Sequence, residues 1–207
     1  MTRSSQDKRV RGRPAGSDSA ETRTRIIDAA CSEFGEVGYK ATTFASIALR
    51  ADLSRPAVHY HFEDKRTLYH AVYEQTNRRA FELGMKRARG ESTLMTQMVA
   101  FAAGASELGR GPMMFLVTAA YEARYSTDIL PPAIRALDKD RRFADWALTE
   151  AVRRGECDPE AIASIDTDSD LLTSILWGLE FYVGFIGTPD ALLESARNYL
   201  AYHSPVH

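Results

Sequence analysis

Two cysteines in 207 residues, Cys31 and Cys157, are too few and too far apart for a disulfide framework, and neither shows metal-ligand spacing. Their scarcity fits a reducing compartment, and the expected location is cytoplasmic. Histidine is sparse as well. Of His59, His61, His70, His203 and His207, the first two stand two apart and so point to opposite sides of a helix, and no second histidine has the spacing of a metal-binding helix. The chain has no phosphate-cradling glycine loop, nucleophile elbow or paired-carboxylate signature. An enzyme is therefore not expected, and no cofactor or metal is implied. The N-terminus is hydrophilic, without the apolar stretch of a signal peptide. The longest apolar run, Leu171 to Ile186, is 16 residues with Glu180 inside it, shorter than a membrane span needs, so it reads as a buried helix and no membrane partner is expected.

Net charge is also small, −2, but it is unevenly distributed. Residues 1–70 hold 12 basic and 9 acidic side chains and the remainder 14 and 19, so the N-terminal third is the basic end. Within residues 1–16, five basic side chains (Arg3, Lys8, Arg9, Arg11 and Arg13) face one acid, Asp7, a local charge of +4. A hydrophobic content of 44% is enough to bury a core in the rest.

The most informative stretch is Thr42 to Lys65. Thr43 is a good N-cap, and Ile47, Ala48 and Ala51 fall on one face of a short helix. The chain then bends at Ala51-Asp52-Leu53. Ser54 can cap a second helix that tolerates Pro56 in its first turn, where an N–H has no intrahelical partner. Val58 and Phe62, four apart, face inward, which leaves Arg55, Pro56, Ala57, His59 and Tyr60 outward at the start of the second helix. Such a pair of helices around a tight turn can set side chains into a DNA major groove.

Together with the upstream segment Ile26 to Ala48, this stretch resembles the helix-turn-helix of TetR-type transcriptional repressors. The resemblance covers about a quarter of the chain. Phe34, Gly38 and Tyr39 stand where that family ends its first helix, and Ile26, Ala30 and Phe34 form the stripe that packs under the reading pair. Gly38 permits a left-handed helix stop. Asp52 replaces the glycine usual in the turn and tolerates positive φ at some cost. His59 replaces the commonest tyrosine, followed by Tyr60 and His61, which match an aromatic and a histidine that commonly touch phosphates. Glu63 and Asp64 stand where a basic or neutral pair is common, and Asp64 reads better as the N-cap of the next helix. The resemblance makes Lys65 a phosphate anchor. The expected DNA-binding residues are thus Arg11, Arg13, Thr43, Arg55, Pro56, Ala57, His59, Tyr60, His61 and Lys65.

Beyond Lys65 the chain is helix-patterned, with prolines and glycines between periodic segments. Expected helices run over about Lys65–Arg89, Leu94–Leu108, Pro112–Tyr125, a long segment carrying Ile134, Leu137, Ala144, Leu148 and Val152, then Asp170–Ile186 and Pro189–Ala201. The fold class is all-α, with about nine helices, the number the resemblance implies. Residues 1–18 are expected to be a disordered basic arm, 19–66 a helix-turn-helix domain and 67–207 an effector-binding and dimerisation domain. By resemblance the last two helices, about 170–201, pair with their copies in a homodimer. The family also places an effector cavity among the middle helices, where Met98, Phe101, Met114, Tyr121, Tyr125, Trp146 and Trp177 are candidate ligand contacts, although such a stripe also makes ordinary core. Glu122 and Glu180 could meet a polar ligand group or bridge to Arg124, Arg142 or Arg197.

The function implied is a site-specific regulator, a repressor released from a palindromic operator by a small apolar or aromatic ligand. The alternatives are a ligand-dependent activator of the same fold, a non-specific architectural DNA protein, and an all-α ligand-binding protein without operator binding. Arg11-Gly12-Arg13-Pro14 resembles an AT-hook core, in which two arginines lie along a narrow A·T-rich minor groove; the other reading is a plain basic tail. Replacing Arg11 and Arg13 together by alanine should weaken DNA binding most on A·T-rich flanks in a gel-shift comparison, whereas an equal loss on G·C-rich flanks marks the plain tail.

Overall fold

The structure is a computed structural model that describes residues 15–125, 138–157 and 165–203. Arg11, Arg13, Ile134 and Leu137 lie outside the described residues. Among the described residues there are nine helices and no strand, so the fold is all-α: α1 Ala15–Ala41, α2 Phe44–Arg50, α3 Arg55–His61, α4 Lys65–Ala88, α5 Leu94–Ser106, α6 Arg110–Tyr125, α7 Asp138–Arg153, α8 Ile165–Phe185 and α9 Pro189–His203. Three helices start earlier than their patterns suggest, α6 by two residues at Arg110. α1 begins at Ala15, inside the segment expected to be an arm, and α8 begins at Ile165, five residues before Asp170.

Local chemistry explains the starts of the short helices. Thr43 caps α2 through a reciprocal pair: its hydroxyl accepts from the Ser46 N–H at 3.0 Å, and the Ser46 hydroxyl accepts from the Thr43 N–H at 3.1 Å. Ser54 caps α3 with Pro56 in the first turn, and Asp64 caps α4 by accepting from the Thr67 N–H at 2.7 Å. That bond holds the Asp64 carboxyl below its ordinary range.

Two apolar clusters form the core. The first joins α1 to α6 and carries Ile26, Phe34, Ile47, Val58, Phe62, Leu68, Tyr69 and Phe115, so it crosses residue 66 without a break. The second gathers Met85, Met98, Phe101, Phe143, Ala147 and Leu176 from α4, α5, α7 and α8. α4 runs through both and packs along α5. They pack tightly at Gly104, where an added Cβ would lie 2.5 Å from the Leu83 carbonyl oxygen and 2.9 Å from the Gly84 Cα. Neither of those backbone atoms can rotate away. Gly104→Ala should therefore destabilise by about 2 kcal/mol, in the range for overpacking, and lower Tm by roughly 4–8 °C for a chain of this size. A calorimetric scan checks this; an unchanged Tm would mean the two helices separate freely.

Candidate nucleic-acid interface

The turn between α2 and α3 is a Schellman stop. The Leu53 N–H donates to the Ala48 carbonyl at 2.9 Å and the Asp52 N–H to the Leu49 carbonyl at 3.2 Å, while Asp52 itself adopts φ 52. An aspartate at that conformation is less favourable than glycine. The Arg25 guanidinium supports the bend from α1, donating to the Ala51 carbonyl at 2.7 Å and to the Asp52 carbonyl at 3.3 Å.

Within α3 only Val58 is buried, and Phe62 follows it into the core. Arg55, Pro56, His59 and Tyr60 are exposed, Tyr60 to 83%. Ala57 and His61 are half-buried. An outward aromatic this bare is free to lie against a sugar-phosphate chain. The His59 ring leans edge-on against Phe44 at 4.6 Å between centroids, and His61 meets Tyr60 at 5.2 Å. Arg55 makes no ion pair among the described residues, so its guanidinium fork is open to acceptors on a base edge. Thr43 is exposed, with its hydroxyl engaged in the α2 cap.

Lys65, expected as a phosphate anchor, is engaged within its own chain. Its ammonium donates to the carbonyls of Tyr39 at 2.7 Å, Thr42 at 2.9 Å and Lys40 at 3.4 Å, and lies 4.4 Å from the centre of the Tyr39 ring. Burial lowers its pKa. It closes the carbonyl end of α1 and would meet a phosphate only by giving up those bonds. Arg50 is similarly engaged, held by Glu33 at 2.9 Å and by both oxygens of Glu36 at 2.8 and 2.5 Å. Neither arrangement follows from spacing along the chain.

Gly38 has φ 78 and ψ 169. The expected left-handed stop is thus corrected to an extended conformation with positive φ, one that is essentially glycine-only, and α1 resumes to Ala41.

The candidate ligand residues divide. Met98 and Phe101 are buried together in the second cluster, with Trp146 packed against it and Phe101 stacked on Phe143 at 4.0 Å. Met114 is half-buried on α6, Tyr121 is 64% exposed, and Trp177 is on the exposed side of α8 at 38%. The side chain of Tyr125 lies outside the described set. Glu180 accepts from the buried Lys139 ammonium at 2.7 and 2.8 Å, and Lys139 also contacts Asp140. Burial, together with the Glu180 charge, pushes the Asp140 carboxyl up to about 7, and the two carboxylates raise Lys139 against the lowering effect of its own burial. Arg197 pairs instead with Glu91 at 2.6 Å. Among the described residues no group of three or more His, Cys, Asp or Glu is arranged to hold a metal ion, and no helix is long and apolar enough to cross a membrane.

Comparison with known proteins adds an independent line. Residues 26–72 match the model of the family described as bacterial regulatory proteins, tetR family. Over 69 residues the chain is 32% identical to the HTH-type transcriptional regulator AcrR of Shigella flexneri, which covers 33% of this chain and 32% of that protein. Over 60 residues it is 40% identical to an HTH-type transcriptional regulator, TtgW, of Pseudomonas putida, covering 29% of this chain and 45% of that one. These matches span less than half the length of the curated relatives. The fold likeness is longer. It covers 90% of this chain and 97% of the fatty acid degradation regulator FadR from Bacillus halodurans, at TM-score 0.68 and 15% identity. A gamma-butyrolactone receptor gives TM-score 0.61 at 22% identity over 89% of this chain and 98% of that one.

The exposed face of α3 yields a division of labour that binding measurements can check. Tyr60→Ala should weaken binding by a similar factor on every sequence, as loss of a phosphate contact does, while Arg55→Ala should relax preference at particular base pairs, each worth about 1–3 kcal/mol. A flat response to Arg55→Ala across a mutated-operator library would reverse its assignment.

Proposed function

From a chain whose residues 26–72 match the tetR family of bacterial regulatory proteins, we propose a site-specific transcriptional regulator that binds a palindromic operator as a homodimer. The observation that carries this is the geometry of α3: one buried residue, two capped ends, and Arg55, His59 and Tyr60 presented together on an otherwise uncommitted face. Dimerisation is supported by α8, where Leu171, Ile175, Phe181 and Tyr182 are 40–61% exposed on a helix of largely apolar sequence, and by Ile186 just after its end, 69% exposed. So large an unpaired apolar face points to a self-complementary partner. Two reading helices held about 34 Å apart would then reach successive major-groove faces.

Release by a small ligand is the regulation this reading carries. The ligand would enter among Met98, Phe101 and Trp146 and favour a form in which the two α3 helices no longer match the groove spacing. The difference in ligand affinity between the two forms would be on the order of 1–3 kcal/mol. The direction of regulation in this reading is repression.

The proposal is tested by fluorescence anisotropy on DNA from upstream of the protein's own gene against a scrambled competitor at near-physiological salt. Affinity about a thousandfold or more above the scramble supports it, and weak, salt-steep binding to both points to an architectural role. Ile186→Asp should give a monomer in analytical ultracentrifugation and cost about a hundredfold or more on the palindrome, since each head then binds alone. A dimer that survives this substitution together with Ile175→Asp would move the interface elsewhere.

A further inference from the structure

Glu122, near the end of α6, stands where three helices meet. One of its carboxylate oxygens accepts from the Tyr39 N–H at 3.0 Å and the other from the Tyr69 hydroxyl at 3.0 Å. The first donor belongs to α1 and the second to α4, so one side chain of the middle helices holds both elements that carry the reading pair. The Tyr39 amide is the one that the extended Gly38 turns out of its helix, and it would lack an intrahelical acceptor there. Gly38 is also matched to the carboxylate in space, because a Cβ at that position would lie 3.1 Å from the Glu122 oxygen. Kink and carboxylate therefore form one fitted contact.

The contact continues toward the DNA face without a gap. The Tyr39 carbonyl accepts from Lys65, the first residue of α4, and the same ammonium holds the Thr42 carbonyl. Thr42 is fully buried and its hydroxyl donates to the Gly38 carbonyl at 2.8 Å; the next residue, Thr43, caps α2. In the other direction α6 packs on α8, the helix with the exposed apolar face. The buried Tyr69 phenol is kept protonated, first by desolvation and then by the neighbouring Glu122 charge, so it remains a donor.

We infer that Glu122 is the positioning residue through which α6 sets the orientation of the α2–α3 pair, latching the α1 kink and α4 to the body of the protein. This rests on the DNA-binding reading above and adds the residue that transmits regulation to it. A shift of α6 by a small fraction of a helical turn breaks one or both bonds and frees the pair to swing. The loss then falls on the spacing of two heads in a dimer and leaves each head's own surface intact.

The test uses the full chain and three proteins: wild type, Glu122→Ala, and Glu122→Gln, whose amide can accept from the Tyr39 N–H and donate to the Tyr69 oxygen. Affinity is measured for a palindrome selected from random DNA and for its isolated half-site, with hydrogen exchange followed in peptides spanning 36–43. Glu122→Ala should lose about tenfold on the palindrome, the size of one charge-assisted hydrogen bond, and nothing on the half-site, while Glu122→Gln stays within about threefold of wild type. Equal losses on both DNAs, no loss on either, or failure of the amide to restore binding overturns the latch. Should wild type select no palindrome, the DNA reading fails and exchange alone decides the latch: faster exchange at 36–43 in Glu122→Ala, but not in Glu122→Gln, keeps it, and unchanged exchange removes it.

Discussion

Four aromatic rings at the end of α1 hold the two halves of the molecule in register. Phe34 lies edge-on to Tyr69 at 4.8 Å and 6.1 Å from Phe115; Tyr69 reaches Tyr39 at 5.1 Å and Phe115 at 5.3 Å. Each pair beyond simple burial contributes about 0.5–1.5 kcal/mol, and each has a preferred angle, so the set fixes orientation as well as proximity. The helices it joins are α1, which underlies the reading pair, α4, which follows that pair, and α6, which belongs to the middle of the chain. Because interiors are packed like solids, a joint of this kind moves between discrete arrangements instead of deforming by degrees.

The charges around that joint explain why the basic end of the chain offers fewer free cations than its composition suggests. Arg25 holds the α2–α3 bend, Arg50 is gripped by Glu33 and Glu36, and Lys65 seals the carbonyl end of α1. Cations fixed this way are committed to partners within the chain. Arg55 and the bare Tyr60 ring remain exposed on α3, where the proposed reading has them meet the groove. In the proposed reading, affinity would depend on a few well-aimed contacts more than on a broad positive field, which favours selectivity over salt-dependent attraction.

What could be read from the sequence was what is local. The caps Thr43, Ser54 and Asp64 and the positive φ of Asp52 involve partners within a few residues, and all appear where the spacing puts them. The same holds for the helices from Lys65 to Tyr125, whose ends are marked by glycine and proline. Contacts distant in sequence were not legible: Lys65 meets Tyr39 across 26 residues and Glu122 meets Tyr39 across 83. Nor does periodicity separate Phe101, which is fully buried, from Trp177, which is 38% exposed on α8, since both sit in apolar helical patterns. Which apolar side of α8 faces its own chain is set by helices distant in sequence, which the pattern along α8 does not encode. Lys139 escaped notice for a similar reason, because a lysine at a helix start reads as solvated until Glu180 and Asp140 are seen around it.

The central claim is that two copies of α3 read one palindrome. It is tested most directly by selecting bound sequences from a random duplex library with the purified full-length protein and sequencing them. The account predicts enrichment of a single inverted repeat whose half-site centres lie about one helical turn, or a multiple of it, apart. Enrichment that follows only base composition, with no repeat at any spacing, would contradict it.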